Sequence, residues 1–236
     1  MSFFKRLTAE TRTDREALTA IPIIQGCLAG RVSLPSYVAF LSQAYHHVSH
    51  TVPMLQACGR ALPDRLGWMR PEVAEYIEEE TGHDGWILQD LAACGVPASQ
   101  VTGSRPAFDT EVMVAYAYDT IARKNAVGFF GMVHVLEGTS VALALQAADR
   151  IQQSLGLPSA AFTYLRSHGT LDQQHTAHFA QLMDRLHDPQ DQAAVLHATA
   201  MFYRLYGNVF RGLPLPSAAC AEPVGAQAGA PVGAPA

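Results

Sequence analysis

Apolar residues recur along this chain at intervals of three and four, the spacing that keeps them on one face of an α-helix. Seven stretches follow that rule. Residues 8–29 form the first, with Thr8 as its N-cap, Gly30 past its end and Pro22 as a kink. Residues 34–61 form the second, capped by Ser33, with Pro35 in the first turn and a bend at Pro53. The third runs over 70–95, from Pro71 to a stop at Gly95, and a Gly/Pro/Ser-rich loop follows it. Residues 109–156 read as two helices, or one broken near 125–128. The last two stretches cover 159–187 and the residues after Asp188, where Pro189 takes the first helical position. Nowhere do apolar and polar residues alternate as in a half-buried strand. The pattern predicts an all-α bundle of about seven helices.

The final segment, 214–236, is Ala, Gly and Pro with almost no charge or bulk. It offers too little apolar surface to order itself, so the expected domain is 1–213, followed by a disordered tail. Of the 236 residues 49% are hydrophobic, enough for a full core, and only 16% are charged, with a net charge of −5. Lysine occurs only at 5 and 124, and no basic run exists, so a nucleic-acid partner is not expected. The N-terminus turns polar at once, unlike a signal peptide, and no apolar run reaches the ~18 residues that span a bilayer, so no membrane partner is expected. Cys27, Cys58, Cys94 and Cys220 are widely spaced, without a CxxC pair. They read as buried thiols of a reduced, cytoplasmic chain.

The polar residues inside these helices carry the chemistry. In "HGTLDQQH" His168, Asp172 and His175 stand at i, i+4 and i+7, so all three share one side of a helix. "EEETGHD" sets Glu80 and His83 three apart, with Glu79 beside them, and "HVLEG" does the same for His134 and Glu137. "YHHVSH" adds His46, His47 and His50. A Glu-x-x-His pair is a device of carboxylate-bridged di-iron bundles. Imidazole with carboxylate oxygen suits iron or manganese, and the lack of thiolate argues against structural zinc. Taken singly, each such residue also fits a solvated helix face. Glu137 is different: it lies in "FFGMVHVLEGTSVALAL", where an unpaired carboxylate is costly.

Over roughly residues 10–212 the chain resembles the heme-oxygenase-like diiron oxidases, whose fold is shared with heme oxygenase, the thiaminase-like TenA proteins and the quinone-cofactor synthase PqqC. The resemblance implies a heme-oxygenase-like bundle. It also implies a metal site of Glu80, His83, Glu137, His168, Asp172 and His175, in the family's order of Glu and His, later Glu, then His-x-x-x-Asp-x-x-His. Glu80 and Glu137 would bind or bridge two Fe(II) per chain, with manganese as the substitute metal. Three carboxylates would face four positive charges. Some members draw one more Glu from the preceding helix; here His46, His47 and His50 stand in that region. The first metal then takes one of these histidines, uses Glu79, or keeps an open position.

The other branches match less well. A thiaminase-like hydrolase would need a Gln-Asp-Tyr motif, where this chain has Gln43-Ala44-Tyr45, and a cysteine in the fourth region, where 95–219 holds none. Heme oxygenase binds heme through a first-helix histidine, and no histidine precedes His46. The resemblance thus implies an enzyme that uses O2, a small-molecule substrate and an external electron donor, in an assembly that can be a homodimer. Amino acids, amines and fatty acids remain open as substrates, and N-oxygenation, desaturation or C–C cleavage as outcomes. A metal-free binding or regulatory protein on the same fold is the rival from another class.

Overall fold

The computed structural model describes residues 1–215, without the side chains of Gln173 and Gln174. The expected disordered tail therefore lies, apart from 214 and 215, outside the described residues. Pro214 is still engaged, because its carbonyl accepts the Ser36 hydroxyl at 2.6 Å.

Every regular element among the described residues is helical, as the periodicity predicts, but there are twelve α-helices rather than about seven. They are α1 (Phe3–Glu10), α2 (Arg12–Thr19), α3 (Pro22–Leu28), α4 (Leu34–Val48), α5 (Thr51–Ala61) and α6 (Arg70–Glu80). Then come α7 (His83–Ala93), α8 (Ala98–Thr102), α9 (Phe108–Arg123), α10 (Phe130–Leu155), α11 (Thr163–Asp184) and α12 (Pro189–Arg211). The extra helices arise because predicted single helices are broken in place. The 8–29 stretch becomes α1, α2 and α3. Its start moves back to a cap at Ser2, while Thr8 donates to the Phe4 carbonyl inside α1. Pro22 begins α3 rather than kinking a longer helix, since proline has no N–H to give the preceding turn. The 34–61 stretch opens at Ser49–His50, which places Pro53 in the first turn of α5. The loop after Gly95 holds the short α8. The break near Asn125 and the start at Pro189 stand as expected, with the Asp188 side chain accepting Gln190 N–H at 2.8 Å.

Two apolar clusters hold the bundle. The larger joins α1–α3, α5, α6, α9, α10, α11 and α12, with Leu7, Met54, Phe130 and Phe202 fully buried. The smaller joins α4, α7, α10 and the start of α11 around Leu41, Ile87 and Phe162. Burying each such side chain is worth about 1.5–3 kcal/mol, so packing carries the fold without any bound ion. The long α10 runs through both clusters and lies against α11 and α12. A Cβ at Gly131 would stand 2.7 Å from Thr199 N, so only glycine lets α10 approach α12 this closely. Contrary to the sequence expectation, Ala126–Leu155 is long and apolar enough to cross a bilayer, at a mean hydropathy of 1.5. Its window is 56% buried inside the protein, the environment of a core helix. Cys27, Cys58 and Cys94 are free thiols, and the Cys58 thiol faces the Ala126 carbonyl.

Candidate metal centre

Three regions of chain supply the site. Helix α6 ends on Glu80, because the Thr81 hydroxyl turns back to Ile77 O and Gly82 takes a left-handed φ of 92°. Helix α7 then restarts at His83. Glu80 and His83 are therefore not on one helix face, as the spacing predicts. They meet across a break, with His83 Nδ1 3.1 Å from Glu80 Oε2. Trp86 stacks on the His83 ring at 4.0 Å and holds its plane. From α11, His168 points its edge at His83, with ring centres 4.7 Å apart. The ligating atoms of Glu80, His83 and His168 all lie within 4.8 Å of one another.

Glu137 of α10 meets Asp172 and His175 of α11 in a second triad of the same dimensions. The three α11 residues do share one side, as i, i+4 and i+7 require. Asp172 Oδ1 stands 3.7 Å from Nδ1 of both His168 and His175, beyond hydrogen-bond reach. Asp172 is 1% exposed, and neither of its carboxylate oxygens has a hydrogen-bond partner; His168 Nε2 and His175 Nδ1 are also buried and unpartnered. Four orphaned donor atoms at one point are expensive unless something outside the chain satisfies them. Their chemistry, imidazole nitrogen and carboxylate oxygen, fits iron or manganese.

The electrostatics agree. Burial, with Asp172, Glu80 and Glu79 nearby, pushes the Glu137 carboxyl well above its usual range. The surface it retains opens onto cavities on both sides of α10. Burial would raise Glu80 too, but the hydrogen bond from His83 and the charges of His168 and His175 outweigh it and hold Glu80 low. Burial pulls His168 down, and Asp172 and Glu80 more than reverse it. Without a cation the centre is thus an excess of carboxylate, relieved partly by protons.

The helix-two histidines separate. His46 Nε2 pairs with Ser104 Oγ at 2.9 Å, and His50 Nδ1 with Tyr118 OH at 3.2 Å. The structure does not bring those two into either triad. His47 alone borders the cavity next to the centre, with Nδ1 unpartnered, and burial drives its pKa down to about 3. Glu79 lies outside the triads but reaches His175 Nε2 at 3.6 Å. His134 does not join Glu137; its ring stacks on Phe179 at 5.7 Å, on the α1 side of α10.

Three site residues escape the sequence reading. Tyr76 is buried beside His175 with its hydroxyl unpartnered, Trp86 stacks on His83, and Tyr164 packs against His168 at 4.8 Å. Each stands three or four residues from an expected ligand on its own helix or helix end, and that period is the signal that could have found them. Glu72, Glu75 and His178 form a third group along α6 and α11. There Arg185 donates to Glu72 at 2.8 Å, so the protein provides its own cation.

A cavity of about 180 Å³ adjoins the centre, bordered by Glu80, Glu137, His168 and Asp172 at one end. A smaller one of about 150 Å³ touches the far side of Glu137, beside Arg15, His134 and Tyr203.

The sequence profile of a family described as iron-containing redox enzymes matches residues 38–207. No curated protein matches the chain. Among solved structures, a domain of unknown function with a heme oxygenase-like fold from Shewanella denitrificans superposes with a TM-score of 0.80 at 22% identity, covering 88% of this chain and 90% of that one. A TenA homologue from Pseudomonas syringae gives 0.75 at 12% identity, over 88% and 90%. Heme oxygenase-1 from the cyanobacterium Synechocystis, in complex with heme, gives 0.69 at 12% identity, over 89% and 91%. At these identities the likeness is one of fold alone, and that fold is heme oxygenase-like.

Proposed function

Since this chain belongs to the family of iron-containing redox enzymes, we propose that it is a non-heme di-iron oxidase, activating O2 to oxidise a small metabolite. The observation that carries this reading is the pair of adjacent triads, Glu80–His83–His168 and Glu137–Asp172–His175, with buried donor atoms that no protein group satisfies. Each triad would hold one Fe(II), and the two ions would supply electrons to O2. An external reductant would restore them.

The chain's own contributions follow from the geometry. Burial, with its carboxylate neighbours adding to it, favours the neutral form of the Glu137 carboxyl, so cation binding there would release a proton. Trp86 fixes the His83 ring, Tyr164 packs beside His168, and Glu79 lies against His175, so the imidazoles keep their directions as cations arrive. Tyr76 keeps an unpartnered hydroxyl beside the centre, placed to donate a hydrogen bond, and burial with the nearby carboxylates holds that hydroxyl protonated. The larger cavity offers a substrate mostly apolar walls beside the centre.

A cysteine-dependent hydrolase of the thiaminase-like kind finds less support. Cys27 borders the cavity, but burial pushes its thiol up to about 11, which leaves little nucleophilic thiolate. The test is anaerobic loading with Fe(II), elemental analysis, and stopped-flow absorption on mixing with O2. Close to two irons per chain and an O2-dependent spectral change are expected. Saturation at one iron or none overturns the di-iron reading.

A further inference from the structure

Behind Glu137, on the side away from the larger cavity, the smaller one of about 150 Å³ is walled by α1, α2, α10, α11 and α12. It has room for a few non-hydrogen atoms and not for a long chain. Nothing in the proposed oxidation uses it. Gly138 borders it, and a Cβ at that position would meet nothing within 4 Å. A glycine inside a helix costs stability relative to alanine, and here no close approach of a neighbouring element requires it.

The polar groups on this wall have donors to spare and lack an acceptor. His134 is 8% exposed, and its Nε2 is buried without a partner. Phe4, Phe179 and Tyr203 clamp the ring at 6.1, 5.7 and 6.4 Å, so it cannot swing out to water. Arg6 and Arg12 pair with Glu10 and Glu16, each four residues on, but among the described residues no carboxylate pairs with Arg15. Arg15 reaches the Tyr203 hydroxyl instead, which occupies one of its five N–H groups and leaves the phenol proton to give. The Thr8 and Thr176 hydroxyls are spent on the carbonyls of Phe4 and Asp172, at 3.0 and 2.8 Å. Among the described residues the one carboxyl on the wall is Glu137, where burial favours the neutral form.

We propose that this cavity is a binding site for a small planar monoanion, the size of formate, bicarbonate or acetate, held by Arg15 with Tyr203 and His134 as further donors. The guanidinium fork matches two coplanar oxygens. A bound acceptor draws the single N–H of the neutral His134 ring to Nε2. One cationic group offsets one negative charge, and a dianion would bury a second uncompensated. The three donors belong to neither triad, so the site does not rest on the di-iron reading.

The full chain, with its metal content measured, is titrated by calorimetry with formate, acetate, bicarbonate, acetamide and phosphate at constant ionic strength. Saturable binding of the monoanions is expected, with acetamide and phosphate at least about tenfold weaker than acetate. Arg15→Met and His134→Phe should each weaken acetate about tenfold, the scale of one hydrogen bond to a charged group. Arg12→Met removes the same charge from an arginine on the same helix that is already paired, and should leave acetate affinity as it was. Gly138→Leu, which grows a side chain from the cavity wall, should abolish binding. If that variant melts early, the comparison of Arg15→Met with Arg12→Met decides alone. No saturable binding of any monoanion, equal losses in the two arginine variants, or acetamide or phosphate bound as tightly as acetate overturns the site. Binding that needs added Zn(II) and survives Arg15→Met places the anion on the metals and overturns it as well.

Discussion

Glu80 and His83 meet at 3.1 Å across a break between two helices, with Gly82 in the left-handed region at φ 92° between them. The pair is thus held by a turn rather than by a helical face. An alanine at Gly82 would touch nothing, so its whole cost is backbone strain, about 1–2 kcal/mol. Gly82→Ala should lower the melting temperature and weaken metal binding together, because relaxing φ swings His83 away from Glu80. Gly82→Asn, which tolerates this conformation better, should recover much of both. Equal losses in the two variants would mean that the turn does not set the ligand pair.

The helix-two histidines should separate by partner. His46→Ala and His50→Ala break hydrogen bonds to Ser104 and Tyr118 and should leave metal content as it was. His47→Ala opens space in the wall of the cavity and should change ligand affinity more than metal content. A loss of iron in the His46 or His50 variant, measured by elemental analysis, would show that the helix reaches the metals after all.

Asp90 is buried on α7 and accepts the backbone N–H groups of Thr163 and Tyr164, both at 2.8 Å. It caps α11 from another helix, since α11 has no side-chain cap of its own. Asp90→Ala should cost about 1–2 kcal/mol, the range for a lost N-cap, and more if the freed N–H groups stay buried. The same change should loosen the start of α11, which carries His168 five residues after Thr163, and weaken metal binding. Denaturant melts with and without Zn(II) check both parts.

Glu137 gives a pH dependence with a defined sign. Burial and the nearby carboxylates push its folded pKa well above the ordinary 4.5, so above about that pH the folded, metal-free protein holds a proton that the unfolded chain has released. That contribution to stability is greatest at low pH and is lost as pH rises through the raised value. Glu137→Gln removes it. The metal-free native protein should therefore lose stability relative to the variant as pH climbs from about 4.5. Bound Zn(II) should abolish the difference in slope, because the cation takes the proton's place. Parallel pH profiles for the two metal-free proteins would contradict the buried-carboxyl account.

His134 works the opposite way. Burial holds it near a pKa of about 4, with Arg15 adding to the effect. Between that value and the ordinary 6.5 the unfolded chain binds the extra proton, so stability falls as pH drops through this window. His134→Phe keeps the ring contacts with Phe4 and Phe179 and should flatten the acid side of the profile without changing metal content. An unchanged acid limb would mean that other groups dominate it.

Local pattern alone determined much of this protein. The helical period decides the fold class, because a 3.6-residue repeat of apolar positions has nowhere to go but a bundle. It also places His168, Asp172 and His175 together, since residues four and three apart on one helix are neighbours whatever surrounds them. Glu137 is legible for a different reason: a carboxylate in an apolar run announces that something offsets its burial. Contacts far apart in sequence decided the rest. Ser104 and Tyr118 claim His46 and His50, and no spacing within "YHHVSH" could reveal partners 58 and 68 residues away. The break at Gly82 hides in a continuous apolar pattern, since such a pattern shows which faces are buried but not where one helix hands over to the next. Whether a polar atom is satisfied is likewise a property of all its neighbours at once. Only the folded chain, with α6, α7, α10 and α11 drawn around one point, leaves the oxygens of Asp172 without a partner, the observation on which the proposed cation site rests.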